Sequence, residues 1–374
     1  MRNQNVSLQN PAEVSELWYA FVALDGTVAV TPRHLVDIHR QDREPVYLCA
    51  WHPGVKRIGI VVNELINFAD LAGGARKITH QRLYVMDTAG NFPTAFQTLR
   101  TDLGVHGGVG DMLPIANDAD VGGPGWLIGI ESDFKPSPDH QVTYVYKANL
   151  DGSISRQPGI DVTLKITGAH STNPVLVPDV VASGWLVLVV CDSKGPFGGP
   201  LTHHINPAVN AASQTAKVVP GTFLIEVNLQ IAAATDGRFA ALWHTRLGID
   251  GDPFRQLQPR FVVFKKATSA AVAPLLDIRL ESPILADDLG DGGHFTTRLL
   301  RVGNKWAALY PTLPGPTMTL ATIDDAGVVT KQPGLCPIAD AAAVSADTMG
   351  AVVGIGNAVR VAGGIQIQFR TVTP

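Results

Sequence analysis

The 374-residue sequence carries only three cysteines, Cys49, Cys191 and Cys336, each far from the others. An odd number at such spacing argues against a disulfide framework and fits no zinc pattern, so buried free thiols are expected. Charge is scarce as well, at 17% of residues, and the 29 basic side chains form no run longer than a pair, as at Lys56-Arg57 and Lys265-Lys266. A nucleic-acid footprint needs a clustered basic face, so no nucleic-acid partner is expected at a net charge of −4. No apolar run approaches the ~20 residues of a membrane helix. The polar opening MRNQNVSLQN is not followed by the apolar core and cleavage site of a signal peptide. These absences predict a soluble chain with no membrane insertion.

Helical periodicity is almost missing too. What remains is apolar material, 45% of residues with a mean hydropathy of +0.14. It is arranged in runs of four to eight residues and punctuated by 37 Gly and 26 Pro. That pattern reads as all-β. A Gly-containing turn followed by a strongly apolar strand recurs along the chain, as GWLIGI at Gly125, GWLVLVV at Gly184, GRFAALW at Gly237 and GNKWAALY at Gly303. Weaker copies are GVKRIGIVV at Gly54 and GGIQIQF at Gly363. The first strand residues of these copies, Ile58, Trp126, Trp185, Phe239, Trp306 and Ile365, are spaced by 54 to 68 residues, and the interval from Ile365 round to Ile58 is 67. A closing interval inside the range of the others is expected of a ring of repeats, not of a linear array.

Each anchor strand is followed by a strand-turn-strand unit, except the last, where the chain runs out. Its missing partner is the opening LWYAFVALDGTVAV, Leu17 to Val30. Closing the ring through the two ends removes strand edges that would otherwise invite aggregation. Asp25-Gly26 and Asp151-Gly152 are expected to form two-residue hairpin turns. The recurring anchor aromatics are expected in the core between blades; a sugar-stacking surface is the rival reading.

On these repeats the whole chain resembles six-bladed β-propellers. The resemblance implies an all-β fold, a single six-bladed β-propeller closed by pairing of N-terminal and C-terminal strands, with seven blades as the alternative count. One domain is expected over 1–374, with blades near 41–103, 104–165, 166–230, 231–283, 284–340, and 341–374 plus 11–40. There is no Trp-Asp blade ending, no kelch glycine pair in register and no sialidase-type Asp box.

Catalytic motifs are missing as well. There is no Gly-x-Ser-x-Gly elbow and no thiol motif, and the eleven histidines show no zinc spacing. No catalytic residue and no cofactor is therefore assigned. Two acidic turns, one with Asp250 and Asp252 and one with Asp287, Asp288 and Asp291, read first as ordinary turn chemistry. A structural calcium held by Asp287, Asp288 and Asp291 is the alternative, because Asp and Gly in alternation can turn several oxygens toward one hard cation. The segment Gly195 to Pro220, with His203-His204, is expected as a long loop ordered against a partner or neighbouring subunit.

The first functional expectation is a non-enzymatic structural or interaction protein. It would present loop faces to other proteins in a homo- or hetero-oligomeric assembly. In general style the chain is similar to the propeller-containing tail hub and nozzle proteins of short-tailed phages, which implies a virion component. The alternatives are a propeller hydrolase or lyase acting on a sugar or lactone, and a carbohydrate-binding propeller.

Overall fold

The computed structural model describes residues 15–23, 25, 27–38, 47–69, 75–93, 95–103, 110–115, 123–132, 142–155, 162–164, 171–181, 184–191, 199–206, 211–217, 226–249, 252–266, 274–285, 297–312, 317–336, 344–362 and 364–374. Among these residues there is no helix; every element is a strand. Among the described residues, therefore, no helix is long and apolar enough to cross a membrane.

Among the described residues the strands form seven sheets in chain order, and every pairing whose register is resolved is antiparallel. β1 (Ser15–Val22) pairs with β2 (Val28–Ile38). The next sheet runs β3 (Tyr47–His52), β4 (Arg57–Ala69), β5 (Ala75–Asp87), β6 (Gln97–Leu103). It is followed by β7 (Gly110–Ile115), β8 (Gly125–Ser132), β9 (Val142–Asn149), β10 (Val162–Leu164). Then come β11 (Ser171–Pro178), β12 (Trp185–Cys191), β13 (Gly199–Asn206), β14 (Ala211–Lys217). The fifth sheet holds β15 (Glu226–Ala233), β16 (Arg238–Ile249), β17 (Asp252–Lys265), β18 (Leu276–Arg279), with β19 (Ile284–Leu285) also on β17. The sixth runs β20 (Arg298–Val302), β21 (Lys305–Thr312), β22 (Thr317–Ile323), β23 (Val329–Gln332). The last has three strands, β24 (Val344–Met349), β25 (Val352–Val361), β26 (Gly364–Val372).

The chain divides into two compact units. One comprises Met1–Leu176, Ser183–Val187 and His203–Ser213, the other Val177–Ala182, Leu188–Thr202 and Gln214–Pro374. In the first, Leu17, Tyr19 and Phe21 of the opening hairpin pack on Ile60, Val62, Tyr84 and Met86 of β4 and β5. Val61, Leu83 and Val85, on the same two strands, pack against Trp126, Ile128 and Tyr146 of β8 and β9. Alternate side chains of β4 and β5 thus serve two cores, as period-2 geometry requires. In the second unit, Leu242, Phe261 and Val263 meet Trp306, Tyr310 and Ile323, and Leu309, Leu320 and Val302 meet Val353 and Ile355.

This stacking explains the sequence pattern. Seven of the eight residues of β21, KWAALYPT, are buried, because both faces of a central strand are covered. Outer strands read differently: β18 alternates half-buried and exposed.

The anchors Trp126, Phe239 and Trp306 have no solvent exposure and Trp185 only 6%. Each heads the second strand of its sheet, and Ile58 does the same in β4. Ile365 does not. It lies on β26, the third strand of its sheet, and the second-strand position belongs to Val353 of β25, which is fully buried. The last sheet therefore already contains its β25, and the stretch Leu17 to Val30 makes a hairpin of its own. The ladder expected between N-terminal and C-terminal strands is not among the pairings of the described residues.

The hairpin turn at Asp151-Gly152 also differs from expectation, while Gly26 of the Asp25-Gly26 turn lies outside the described residues. Gly152 N donates to Asn149 O at 3.0 Å and Asn149 N to Ser153 O at 2.8 Å. The loop thus has three residues, 150–152, with Gly152 in the left-handed region at φ 82°. That is a type I turn closed by a glycine bulge rather than a two-residue turn. The same pattern recurs at Ala234 to Arg238, with Gly237 at φ 85°. The Asp at the centre of each loop adds a local bond: Asp151 accepts from Ser153 N at 2.9 Å and Asp236 from Arg238 N at 3.1 Å.

Two further corrections concern single segments. Of the free thiols, Cys336 is buried but Cys49 is exposed. The stretch Gly195 to Pro220 is not a long loop, because it supplies β13 and β14.

Candidate functional site

The longest strand of the second unit's first full sheet, β17, changes character along its length: DPFRQLQPR is polar, FVVFK apolar. Its outer neighbour changes with it. β18 pairs regularly from Val263↔Leu276 to Arg260↔Arg279, and β19 resumes at Leu257↔Ile284. Three steps on β17 thus face five on the outer strand, so two extra residues are accommodated as a bulge. The bulge is held by Leu280 N donating to Pro259 O at 2.9 Å and by Gln258 Nε2 donating to Glu281 O at 3.0 Å. Pro283, which has no N–H for the ladder, closes it.

The bulge re-aims Glu281 toward β21 and β23. Tyr310 Oη donates to Glu281 Oε1 at 3.0 Å, and Lys331 Nζ lies 2.9 Å from the same oxygen. Lys331 also donates to Leu280 O. Burial, with the Glu281 charge added, pushes the Tyr310 hydroxyl far above the ordinary phenol range, so it stays a donor. Nearby, Thr312 and Thr319 share a hydrogen bond of 2.7 Å between buried hydroxyls. Beside this cluster lies a cavity of about 350 Å³ lined by Gln256, Glu281, Ser282, Pro283, Ile284, Leu285 and Thr312. A carboxylate compensated by one ammonium, an amide and hydroxyls face one concavity with an apolar wall. Such a set can hydrogen-bond a small molecule.

At the opposite end of β17, turns converge. Lys266 pairs with the buried carboxylate of Asp179. Arg238 bridges Asp236 at 2.6 Å and Asp325 at 2.9 Å, and Arg301 reaches Asp325 at 3.3 Å. Hydrogen bonds from Arg238 hold both Asp236 and Asp325 below the usual carboxylate range. The segments beside these charged residues in sequence carry Val180, Val181, Leu275 and Val328, all exposed, Val181 by 60% and Val328 by 61%. The turns adjoin: a Cβ on Gly237 would lie 3.1 Å from Val181, and one on Gly327 would lie 3.1 Å from Leu276.

Asp287, Asp288 and Asp291, the calcium alternative, lie outside the described residues, as does Asp250. Asp252 opens β17 opposite Ile249. Among the described residues no three His, Cys, Asp or Glu side chains gather as a metal site would require. His203 and His204 are strand residues of β13. Glu281, Tyr310 and Lys331 carry no sequence motif; the one signal was Pro283 interrupting an apolar alternation, which marks an edge strand or bulge.

No family model matches the chain, and no curated protein does. Solved structures do. The α-L-arabinofuranosidase of Fusarium graminearum in complex with arabinobiose is 8% identical, with 89% of this chain and 94% of that chain covered at a TM-score of 0.51. A mutant of that enzyme with an iminosugar inhibitor is 10% identical, with the same coverage and TM-score. These neighbours are six-bladed β-propellers. The fold is a β-propeller. At such identity the likeness concerns the fold alone.

Proposed function

We propose that the chain is a binding protein that presents the converging turns of its second unit to a protein partner, in a homo- or hetero-oligomeric assembly, without turning over a substrate. The observation that carries this is the set of exposed apolar side chains Val180, Val181, Leu275 and Val328 among fixed ion pairs. Apolar centres with polar rims are the anatomy of protein interfaces. The arginines and aspartates around them are already oriented, so less order is lost on docking. A virion is one assembly in which such a chain would serve.

The double substitution Val181→Asp, Val328→Asp tests the reading. Both side chains are exposed, so stability should change by no more than about 0.5 kcal/mol each. Light scattering and cross-linking of the native assembly should show the partner or second copy lost in the variant. A chain that cross-links to no other protein and stays monomeric when concentrated contradicts the reading.

A second reading, a glycoside hydrolase, is favoured by the Glu281 carboxylate at a cavity and by the activity of the arabinofuranosidase that shares the fold. Glycoside hydrolysis uses two carboxyl groups about 5–9.5 Å apart, so the chain would have to bring a second one to Glu281. Release of sugar from an arabinoside that is lost in Glu281→Gln supports this reading; unchanged release in that variant contradicts it.

A further inference from the structure

The Glu281 cavity lies nine residues along β17 from the exposed turns, roughly 30 Å at ~3.4 Å per strand residue. A site there is independent of the docking reading. We infer that this cavity is a binding site for a small, neutral, polyhydroxylated molecule, a monosaccharide-sized sugar or short glycoside.

Three features lead to that class. The first is charge. Glu281 is compensated by Lys331 at 2.9 Å on Oε1, so the described lining carries no net charge with which to select an anion or a cation. The second is unused hydrogen-bonding capacity. Tyr310 and Lys331 both address Oε1, and Oε2 receives no hydrogen bond from a described residue. The half-buried Gln256 amide offers two donors and an acceptor, and the Ser282 hydroxyl one donor and two acceptors; neither side chain is bonded to a described residue. Groups that alternate as donor and acceptor match hydroxyls, which do both. The third is shape. About 350 Å³ is near the lower end of ligand pockets, which run roughly 300–1,000 Å³. Ile284 and Leu285 supply an apolar wall for the C–H face of a sugar ring.

The bulge is what makes the site. A straight outer strand would keep Glu281 in the ladder; two extra residues and Pro283 release it, and the Tyr310 and Lys331 contacts then fix its rotamer. Such held polar groups limit the ordering lost when a ligand arrives.

Ligand-observed saturation-transfer NMR on the intact chain tests the inference with L-arabinose, D-xylose, D-galactose, D-glucose and arabinobiose. Choline and acetate serve as charged controls. At least one neutral sugar should show saturable transfer, weakened tenfold or more in Gln256→Ala and in Glu281→Gln, with none from choline or acetate. The Gln256 side chain bonds to no described residue, so Gln256→Ala decides the matter if Glu281→Gln fails to fold. No transfer from any of the five sugars overturns the inference, as does transfer unchanged in a folded Gln256→Ala or a preference for either charged probe. Loss of partner binding on Val181→Asp, Val328→Asp with sugar transfer intact separates this site from the docking surface.

Discussion

Trp126 and Trp306 each fill the space between two sheets with no solvent exposure, and at Trp126 the fit is enforced by a glycine. A Cβ on Gly59 would come within 2.7 Å of the Trp126 ring, so only glycine lets the indole lie against β4. Trp126→Ala or Trp306→Ala should lower stability by about 3–5 kcal/mol in urea unfolding. Gly237→Ala should cost about 1–2 kcal/mol, because its φ of 85° is left-handed. His244 gives a pH signature. It is fully buried, and burial lowers its pKa to about 3, so the folded chain keeps it neutral. Below the unfolded value near 6.5, the unfolded chain binds a proton that the folded chain refuses. The His244 contribution is therefore intact above pH 6.5 and is lost progressively as pH falls toward 3. Unfolding midpoints at pH 7.5, 6 and 5 should fall for the natural chain and fall less for a folded His244→Gln variant. Equal slopes would contradict a neutral buried imidazole.

At the scale of elements, legibility followed hydrophobic contrast. The second strands β8, β12, β16 and β21 stood out because buried on both faces they read as continuous apolar runs behind a glycine turn. β25 is less visible than β26 because Gly354 and Gly356 interrupt its apolar run, whereas β26 alternates directly behind a glycine pair. β13 and β14, GPLTHHIN and AASQTAK, lack apolar alternation and therefore looked like loop. Excising Ser193 to Val219 would remove both strands from their sheet, so the melting temperature should fall sharply where a surface loop would have been dispensable. The Glu281 site was illegible for another reason: its residues come from the bulge after β18 and from β17, β21 and β23, and only strand pairing brings them together. The opening hairpin yields a test of its own. Tyr19 Oη donates to Gly90 O at 2.9 Å, and Leu17 and Phe21 cover Ile60 and Tyr84. Deleting residues 1–38 should uncover that patch, lower the melting temperature by several degrees and increase binding of a hydrophobic dye. A truncated chain that melts with the full one would show that the hairpin contributes no packing.

For the molecule as a whole, the β-propeller fold supplies stacked sheets whose ends can vary while their cores stay packed. In the second unit the two ends of β17 differ in kind. One carries exposed valines and a leucine among ion pairs, the other a polar cavity built on a bulge. The first suits a protein surface and the second a small neutral molecule, so a single sheet can serve two recognition tasks. On the docking proposal, the turn end is covered by protein in the working assembly. A cryo-electron-microscopy map of the chain in that assembly should show density of another chain packed on Val180, Val181, Leu275 and Val328; those four side chains facing solvent in a complete assembly would overturn the proposal.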